Sequence, residues 1–475
     1  MDRTTDSFVD DVLSVRGGRL FVEDVAADDL ARRFGTPLYV MSENGLRRRI
    51  RRYIRAFQER WPEGPVHILP SIKANYALAL RNLLTQEGVG CDTFGLPELY
   101  AALESHVPPG LISVNGSSKD RPLVERALRA GARITLDSPR EVALVRDVAR
   151  ELHVRARVRF RVRPDYSDLG QPSDFHDDVV SIRDAAQAYK PGIPTEALVQ
   201  LGPAALSAPE LEVRGVMAHL GRHSTDLEVW RRMAHSVGAV IGTLHAAWDG
   251  WEPLEVDLGG GFASPRDPTA RGTLRGAQRP AASRAPTVEE YAQALTDGLR
   301  SALSEARVPA KGKILEVEPG RGLYADAGVH LATVRNLKSQ TNPVPRSWVE
   351  TDTSEMFLLD TLIERNRWTP VVAERAAEAP NATADIVGIS CGFDVIVPDA
   401  RLPPVGEGDH VVFLDTGAYQ DATAANFNAM PRPATVLVNG REAEVIKRAE
   451  TIEDVFRRDI VPSRLRAAPA PRSQG

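Results

Sequence analysis

Residues 66–73 read VHILPSIK, a short apolar run that ends on a lysine. A strand of this composition buries its stem and delivers Lys73 at its C-terminal end. Seven further β-rich runs follow: Gly88–Phe94, Leu111–Asn115, Ala132–Asp137, Ala156–Val162, Val213–His219, Leu254–Leu258 and Lys313–Glu318. Amphipathic helical patterns lie between them, at Asn75–Glu87, Glu98–Ser105, Pro122–Ala130, Pro139–Glu151, Leu227–Ala247 and Val288–Ala306. Eight strands alternating with helices predict an α/β chain closed into a (β/α)8, TIM-like barrel. Alternation alone does not show closure, so an open doubly wound sheet remains the rival.

Beyond about residue 330 the helical periodicity fades. Runs such as His410–Leu414 and Ala434–Val438 are separated by Pro and Gly, which reads as a β-rich C-terminal domain. Leu13–Val15 and Arg19–Val22, joined by Gly17-Gly18, read as a hairpin that joins it. The expected organisation is an N-terminal segment of the β domain (1–36), the barrel (37–328), the C-terminal β domain (329–463) and a disordered tail (464–475). Pro164–Pro194 is polar and reads as a long loop. Ser264–Pro286 is rich in Pro, Arg, Ala and Gly and reads as a mobile insertion, with a lid over the site as the alternative.

A chain of 475 residues exceeds one ordinary core, which agrees with two domains. Its net charge of −5 gives no electrostatic case for a nucleic acid or a membrane surface. The Arg47–Arg52 run reads as a solvated helix face. No 18-residue apolar run and no N-terminal apolar segment appear, so a cytoplasmic protein is expected. Two cysteines, Cys91 and Cys391, cannot build a disulfide framework or a cysteine metal site.

Barrel enzymes draw their chemistry from the C-terminal ends of the strands. Lys73 ends the first run here, and Asp92 lies late in the second. Arg161 is in the fifth, His219 ends the sixth, Asp257 and Gly259-Gly260-Gly261 close the seventh, and Glu318 and Arg321 follow the eighth. Each alone has an ordinary reading: a rim lysine, a core histidine, a tight turn, a Glu–Arg pair. Their shared rim is the argument. A desolvated lysine can lose its proton and form a Schiff base, and consecutive glycine N–H groups suit a phosphate. No His/carboxylate cluster suits a metal.

The segments SIKANY, CDTFGLPEL, LDSPREV, RFRVRPD, KPGI, GVMAHLG, LEVDLGGGF, EVEPGR, CGFD, GAYQ and FNAMPRP, in this order, resemble the PLP-dependent decarboxylases of the alanine racemase-like fold type. That family includes diaminopimelate, ornithine and arginine decarboxylases, and the resemblance runs from about Pro37 to Arg457. It implies pyridoxal 5'-phosphate on Lys73, with His219 stacked on its ring and Glu318 at the pyridine nitrogen. Gly259, Gly260, Gly261, Arg321 and Tyr419 would hold the phosphate. Asp92, Glu98 and Arg161 match polar residues around the lysine. The resemblance also implies a homodimer with shared sites, in which Cys391 of one copy protonates the carbanion in the other, and Asp394 stands at the acidic position of the same motif.

Three departures narrow the substrate. Cys391-Gly392-Phe393-Asp394 lacks the glutamate that diaminopimelate decarboxylases place after the cysteine. Asp360-Thr361 aligns with their Arg-Pro pair, and an acid there repels a distal carboxylate. Arg222 replaces a small serine after the stacking histidine and could bind phosphate or a substrate carboxylate. Arg222, Asp360 and Asp394 are therefore candidate substrate-binding residues. The expectation is a specialised decarboxylase acting on a modified, conjugated or diamino acid in secondary metabolism. Diaminopimelate decarboxylation, racemisation and a non-catalytic PLP-binding regulator are the alternatives.

Overall fold

The computed structural model describes residues 9–466 apart from 168, 170–171, 176–179, 182–188, 220–224, 267–284, 365 and 367; of 172–175 and 180–181 it describes the backbone alone. Each of the eight expected runs forms a strand. They are β1 (Val66–Ile68), β2 (Cys91–Thr93), β3 (Ile112–Val114), β4 (Arg133–Leu136), β5 (Ala156–Arg163), β6 (Leu211–Met217), β7 (Glu255–Asp257) and β8 (Ile314–Val317). Parallel pairing runs in the order β1-β8-β7-β6-β5-β4-β3-β2. The chain just past β1 then meets β2. Gly90 donates its N–H to the Ile68 carbonyl at 3.1 Å, Asp92 donates to Pro70 at 3.3 Å, and Ser71 and Asp92 form a parallel bridge. This contact brings the ring round on itself and rejects the open sheet. Pro70 has no N–H to give, which is why regular pairing stops short of the lysine.

Side chains alternate in and out along a strand, so residues two apart share the interior. Here the interior carries charge. Arg159 on β5 lies 3.0 Å from Asp257 on β7 and pairs with Glu316 on β8, while Arg133 on β4 pairs with Glu316 and, at 3.1 Å, with Glu255. All five side chains are buried. The next inward positions toward the strand ends are Arg161 on β5 and Glu318 just past β8. The charged layer thus forms the floor on which the rim residues stand.

The second unit is a β sheet in the order Val395–Leu402, Ala382–Val387, Arg346–Thr351, Gly328–Gln340, Leu38–Ser42, Ala434–Asn439, Glu442–Lys447. Gly328–Gln340 also pairs with His410–Leu414, which pairs with Pro370–Val372. The N-terminal hairpin packs its Leu13, Leu20 and Val22 against Val329, Val371 and Val412 of this sheet. The N-terminal contribution runs through Ser42 rather than stopping at 36, because Leu38–Ser42 hydrogen-bonds between Gly328–Gln340 and Ala434–Asn439.

Two further expectations need correction. The region read as one long loop holds short antiparallel strands, Pro172–Phe175 and Val180–Ser181, and Ile193–Pro194 adds to β5. A helix at Thr195–Leu206 was not foreseen; it buries Leu198, Gly202 and Ala205, with Gly202 against the Trp248 ring. Most of the Ser264–Pro286 insertion, the residues beyond 466 and Arg222 lie outside the described residues. No described helix is long and apolar enough to cross a membrane.

Replacing Arg159 with alanine strips Asp257 and Glu316 of a buried partner. Arg159→Ala is expected to cost about 3–5 kcal/mol, read as a fall in the urea midpoint of the cofactor-free protein.

Candidate active site

Lys73 stands in a short turn (Ile72–Ala74) just past β1, with its side chain 44% exposed at the barrel mouth. Its Nζ lies 3.4 Å from Asp92 Oδ2. Asp92 is buried and held by two further donors, Ser71 Oγ at 2.7 Å and Asn115 Nδ2 at 2.8 Å. Asn115 Nδ2 also donates to Glu318 Oε1. A continuous polar path therefore runs from the lysine through Asp92 and Asn115 to Glu318, across the ends of β1, β2, β3 and β8.

The charges on this path oppose one another. Desolvation pushes the Lys73 ammonium toward losing its proton, but Asp92, Tyr419, Glu318 and Glu98 outweigh it and leave the pKa raised. This corrects the expectation that burial alone would free the amine. Desolvation raises the Asp92 pKa, yet Lys73, Ser71 and Asn115 bring it below the usual carboxylate value. Glu98 is pushed up to about 7, first by burial and then by Asp92. Glu318 is raised well above the ordinary range by burial and by the nearby carboxylates of Asp257 and Asp92. Lys73 therefore keeps its proton near neutral pH, and Glu98 is the acid of this cluster that titrates there.

The glycine run after β7 fits only glycine. Gly259 has φ +68°, and a Cβ on Gly260 would fall 2.1 Å from the Glu318 carbonyl oxygen. The turn therefore packs its backbone directly against the ends of β6 and β8, a close approach that only glycine allows. On the other side, His219 is half-buried at the end of β6 with its ring 6.5 Å from that of Tyr189. Arg161 lies 6.0 Å above the same Tyr189 ring and donates to the Asn115 carbonyl at 3.2 Å.

The β domain closes the mouth. Tyr419 donates its N–H to the Ala74 carbonyl at 2.7 Å, and Asn75 Nδ2 donates to the Gly417 carbonyl at 3.1 Å. Arg321 lies 4.9 Å over the Tyr419 ring and makes a 2.7 Å ion pair with Asp360, with both side chains buried. Gln420 Nε2 donates to the same Asp360 oxygen at 2.8 Å. Asp360 is thus committed inside the protein, where it neutralises Arg321. Asp394 is committed too. It is buried and accepts from Ser354 Oγ at 3.1 Å and from the N–H groups of Glu355 and Ser390 at 2.6 and 2.7 Å. Neither acid has the open position expected of a substrate ligand.

Cys391 is exposed on the loop before Val395–Leu402, and among the described residues no hydrogen bond or ion pair joins it to the lysine cluster. Its N–H donates to Asn428 Oδ1 at 3.0 Å, and Asn428 Nδ2 stands 3.4 Å from its sulfur. Sequence reasoning missed Ser71, Asn115, Gln420 and Asn428. Asn115 had a signal: it ends its strand as a polar residue, as Lys73 and Asp92 end theirs.

These residues fit pyridoxal phosphate. A lysine nucleophile, a glycine turn with backbone N–H groups and a buried carboxyl without a direct cation partner among the described residues would answer the aldehyde, the phosphate and the pyridine nitrogen. Fold and site together fit a barrel enzyme of the PLP-dependent class. A family model described as "Pyridoxal-dependent decarboxylase, pyridoxal binding domain" matches residues 47–325, and the chain belongs to this family. It is 30% identical to a diaminopimelate decarboxylase of Methanocaldococcus jannaschii, over 96% of this chain and 98% of that one. A crystal structure of the M. jannaschii diaminopimelate decarboxylase with L-lysine superposes with a TM-score of 0.84 at 28% identity, covering 96% of this chain and 99% of that one. A lysine/ornithine decarboxylase from Vibrio vulnificus shares the fold, with a TM-score of 0.67 at 19% identity over 87% of this chain and 97% of that one. The protein is a PLP-dependent amino-acid decarboxylase.

Glu98 makes the fold sensitive to pH. Its folded pKa of about 7 lies above the ordinary 4.5, so its charge destabilises the folded state progressively from pH 4.5 to 7. Glu98→Gln is expected to stabilise the cofactor-free protein more at pH 8 than at pH 5, as read by urea midpoints.

Proposed function

We propose that the protein removes an α-carboxylate from meso-diaminopimelate. The observation that carries this reading is similarity at 30% identity along nearly the whole chain to an enzyme of that activity, with the lysine, acid and glycine set in place at the barrel mouth. The comparisons support this alternative better than the specialised substrate expected from the sequence.

When bound, pyridoxal phosphate supplies an electron sink for the carbanion left by CO2 loss. The chain's residues do the rest. Lys73 tethers the cofactor and, held by Asp92, stays aimed across the mouth. Glu318 would meet the pyridine nitrogen and keep a proton there. Gly260 and Gly261 would offer N–H groups to the phosphate, whereas the Gly259 N–H is committed to Asp257 Oδ1 at 2.8 Å, and Tyr419 would approach from the β domain. His219 faces the ring, with Arg161 and Tyr189 behind it. Arg321 serves here as a wall fixed by Asp360 rather than as a free phosphate ligand. Cys391, with Phe393 beside it 96% exposed, belongs to a surface that we read as the face of a homodimer, where it delivers a proton to the partner's site. The two free cysteines suit a reducing, cytoplasmic setting.

The Arg321–Asp360 pair favours a second reading, in which the substrate is a specialised amino acid without a distal carboxylate. Displacing Asp360 would cost about 3–5 kcal/mol, more than the roughly 1.5–3 kcal/mol that a ligand carboxylate gains from one charge-assisted hydrogen bond.

The PLP-loaded protein is expected to release CO2 from meso-diaminopimelate and form lysine, detected by mass spectrometry, with no release from Lys73→Ala. CO2 only from ornithine, 2,3-diaminopropionate or a conjugated amino acid would sink the first reading and support the second. For the shared site, Cys391→Ala is expected to lower turnover about 100-fold or more. Mixing it with Lys73→Ala should restore about a quarter of wild-type activity, the statistical yield of one intact site per mixed dimer. No recovery on mixing would place each site within one copy.

A further inference from the structure

Glu355 lies in the turn after Arg346–Thr351 and is 8% exposed. Among the described residues no cation and no side-chain donor answers its carboxylate; the backbone N–H of Asp394 is the group that favours its charge. Burial first, and then the Asp394 carboxylate, raise its pKa. A buried acid beside another acid, without a cation, carries an unrelieved electrostatic cost.

The direction of this carboxylate identifies what would relieve the cost. A Cβ built on Gly392 would stand 3.6 Å from Glu355 Oε1, and Gly392 is exposed next to Cys391. Gly392 thus leaves open the space in front of the acid. Asp394 ties the two segments together, because it accepts from Ser354 and Glu355 on one side and from Ser390 on the other. Glu355 and the Cys391 loop are thereby held together through one buried carboxylate.

We propose that Glu355 is a specificity-determining residue, whose carboxylate receives the second ammonium group of a diamino acid through the gap left by Gly392. The inference rests on the reading that the Cys391 loop completes an amino-acid site. It selects a substrate class: amino acids with a cationic amine at the far end, with or without a second carboxylate.

The test titrates the PLP-loaded full chain with meso-diaminopimelate and with 2-aminopimelate, which lacks the second amine, and follows the absorbance of the bound cofactor. Wild type is expected to bind the diamino acid about tenfold tighter or more, the worth of one charge-assisted contact. Glu355→Gln should remove that preference by weakening the diamino acid alone. Adding Gly392→Glu to Glu355→Gln should restore it, since a Cβ at 392 meets only ordinary contacts. The proposal is overturned if wild type shows no preference, if Glu355→Gln keeps it, or if both ligands weaken alike. CO2 release measured in parallel separates the two readings. Preference without CO2 would defeat diaminopimelate decarboxylation and leave the role of Glu355 standing, whereas no response to either ligand would overturn both.

Discussion

The pairing of Arg159 with Asp257 and Glu316 is the constraint on which the site depends. A barrel of this size fills its interior with side chains from alternate strands, and branched apolar residues do this at least cost. Here two arginines and three acids occupy the layer instead. Such a layer gains less stability than an apolar one would, because each charge must first be desolvated. What it provides is position. Asp257 holds the N–H of Gly259 at 2.8 Å, so the same ion pair that spans β5 and β7 also fixes the start of the glycine turn.

Charge is then passed upward. Arg159 balances Asp257 and Glu316, but no cation of that layer reaches Glu318 as a direct partner, and its proton affinity is raised. The mouth therefore holds one lysine facing Asp92, with Glu98 and Glu318 close enough to raise its pKa. A cationic heterocycle entering this space would meet a cluster of acids, and Glu318 would be the one to favour a proton on its nitrogen. Preorganised charge of this kind needs no rearrangement during reaction, which is where most of a protein's electrostatic advantage arises.

Much of this was legible in the sequence. VHILPSIK, LEVDLGGG and KILEVEPGR each carry a strand and its terminal polar group in one run, so the strands and the positions of Lys73, Gly259 and Glu318 at their ends followed from period and placement, while closure needed the contact between the chain past β1 and β2. The interior layer was written in the same runs, as the charged residues two positions before the rim: Glu316 before Glu318, Arg159 before Arg161, Glu255 before Asp257. It went unread because an acid inside a strand is recognisable as core only when its partner on a distant strand is known. The roles of Asp360 and Asp394 were hidden for the same reason. A short alignment shows which residue type stands at a position, but whether an acid faces a ligand or an arginine depends on contacts between residues 39 or 40 positions apart.

The far end of the substrate is the point at which whole-chain similarity and local geometry pull apart. Similarity favours a ligand with two amines and two carboxylates. Geometry offers the amine an acid in Glu355 but spends the guanidinium of Arg321 on Asp360. Both can hold if the distal carboxylate is met elsewhere, by a cation that does not already carry a buried partner. If none is supplied when the site is complete, the buried ion pair wins on energy, and the preferred substrate keeps its second amine but lacks the second carboxylate. The choice of Asp at position 360 then acts as a filter on one end of the substrate while leaving the chemistry at Lys73 untouched, which is how a decarboxylase can retain the whole catalytic set and still diverge in what it accepts.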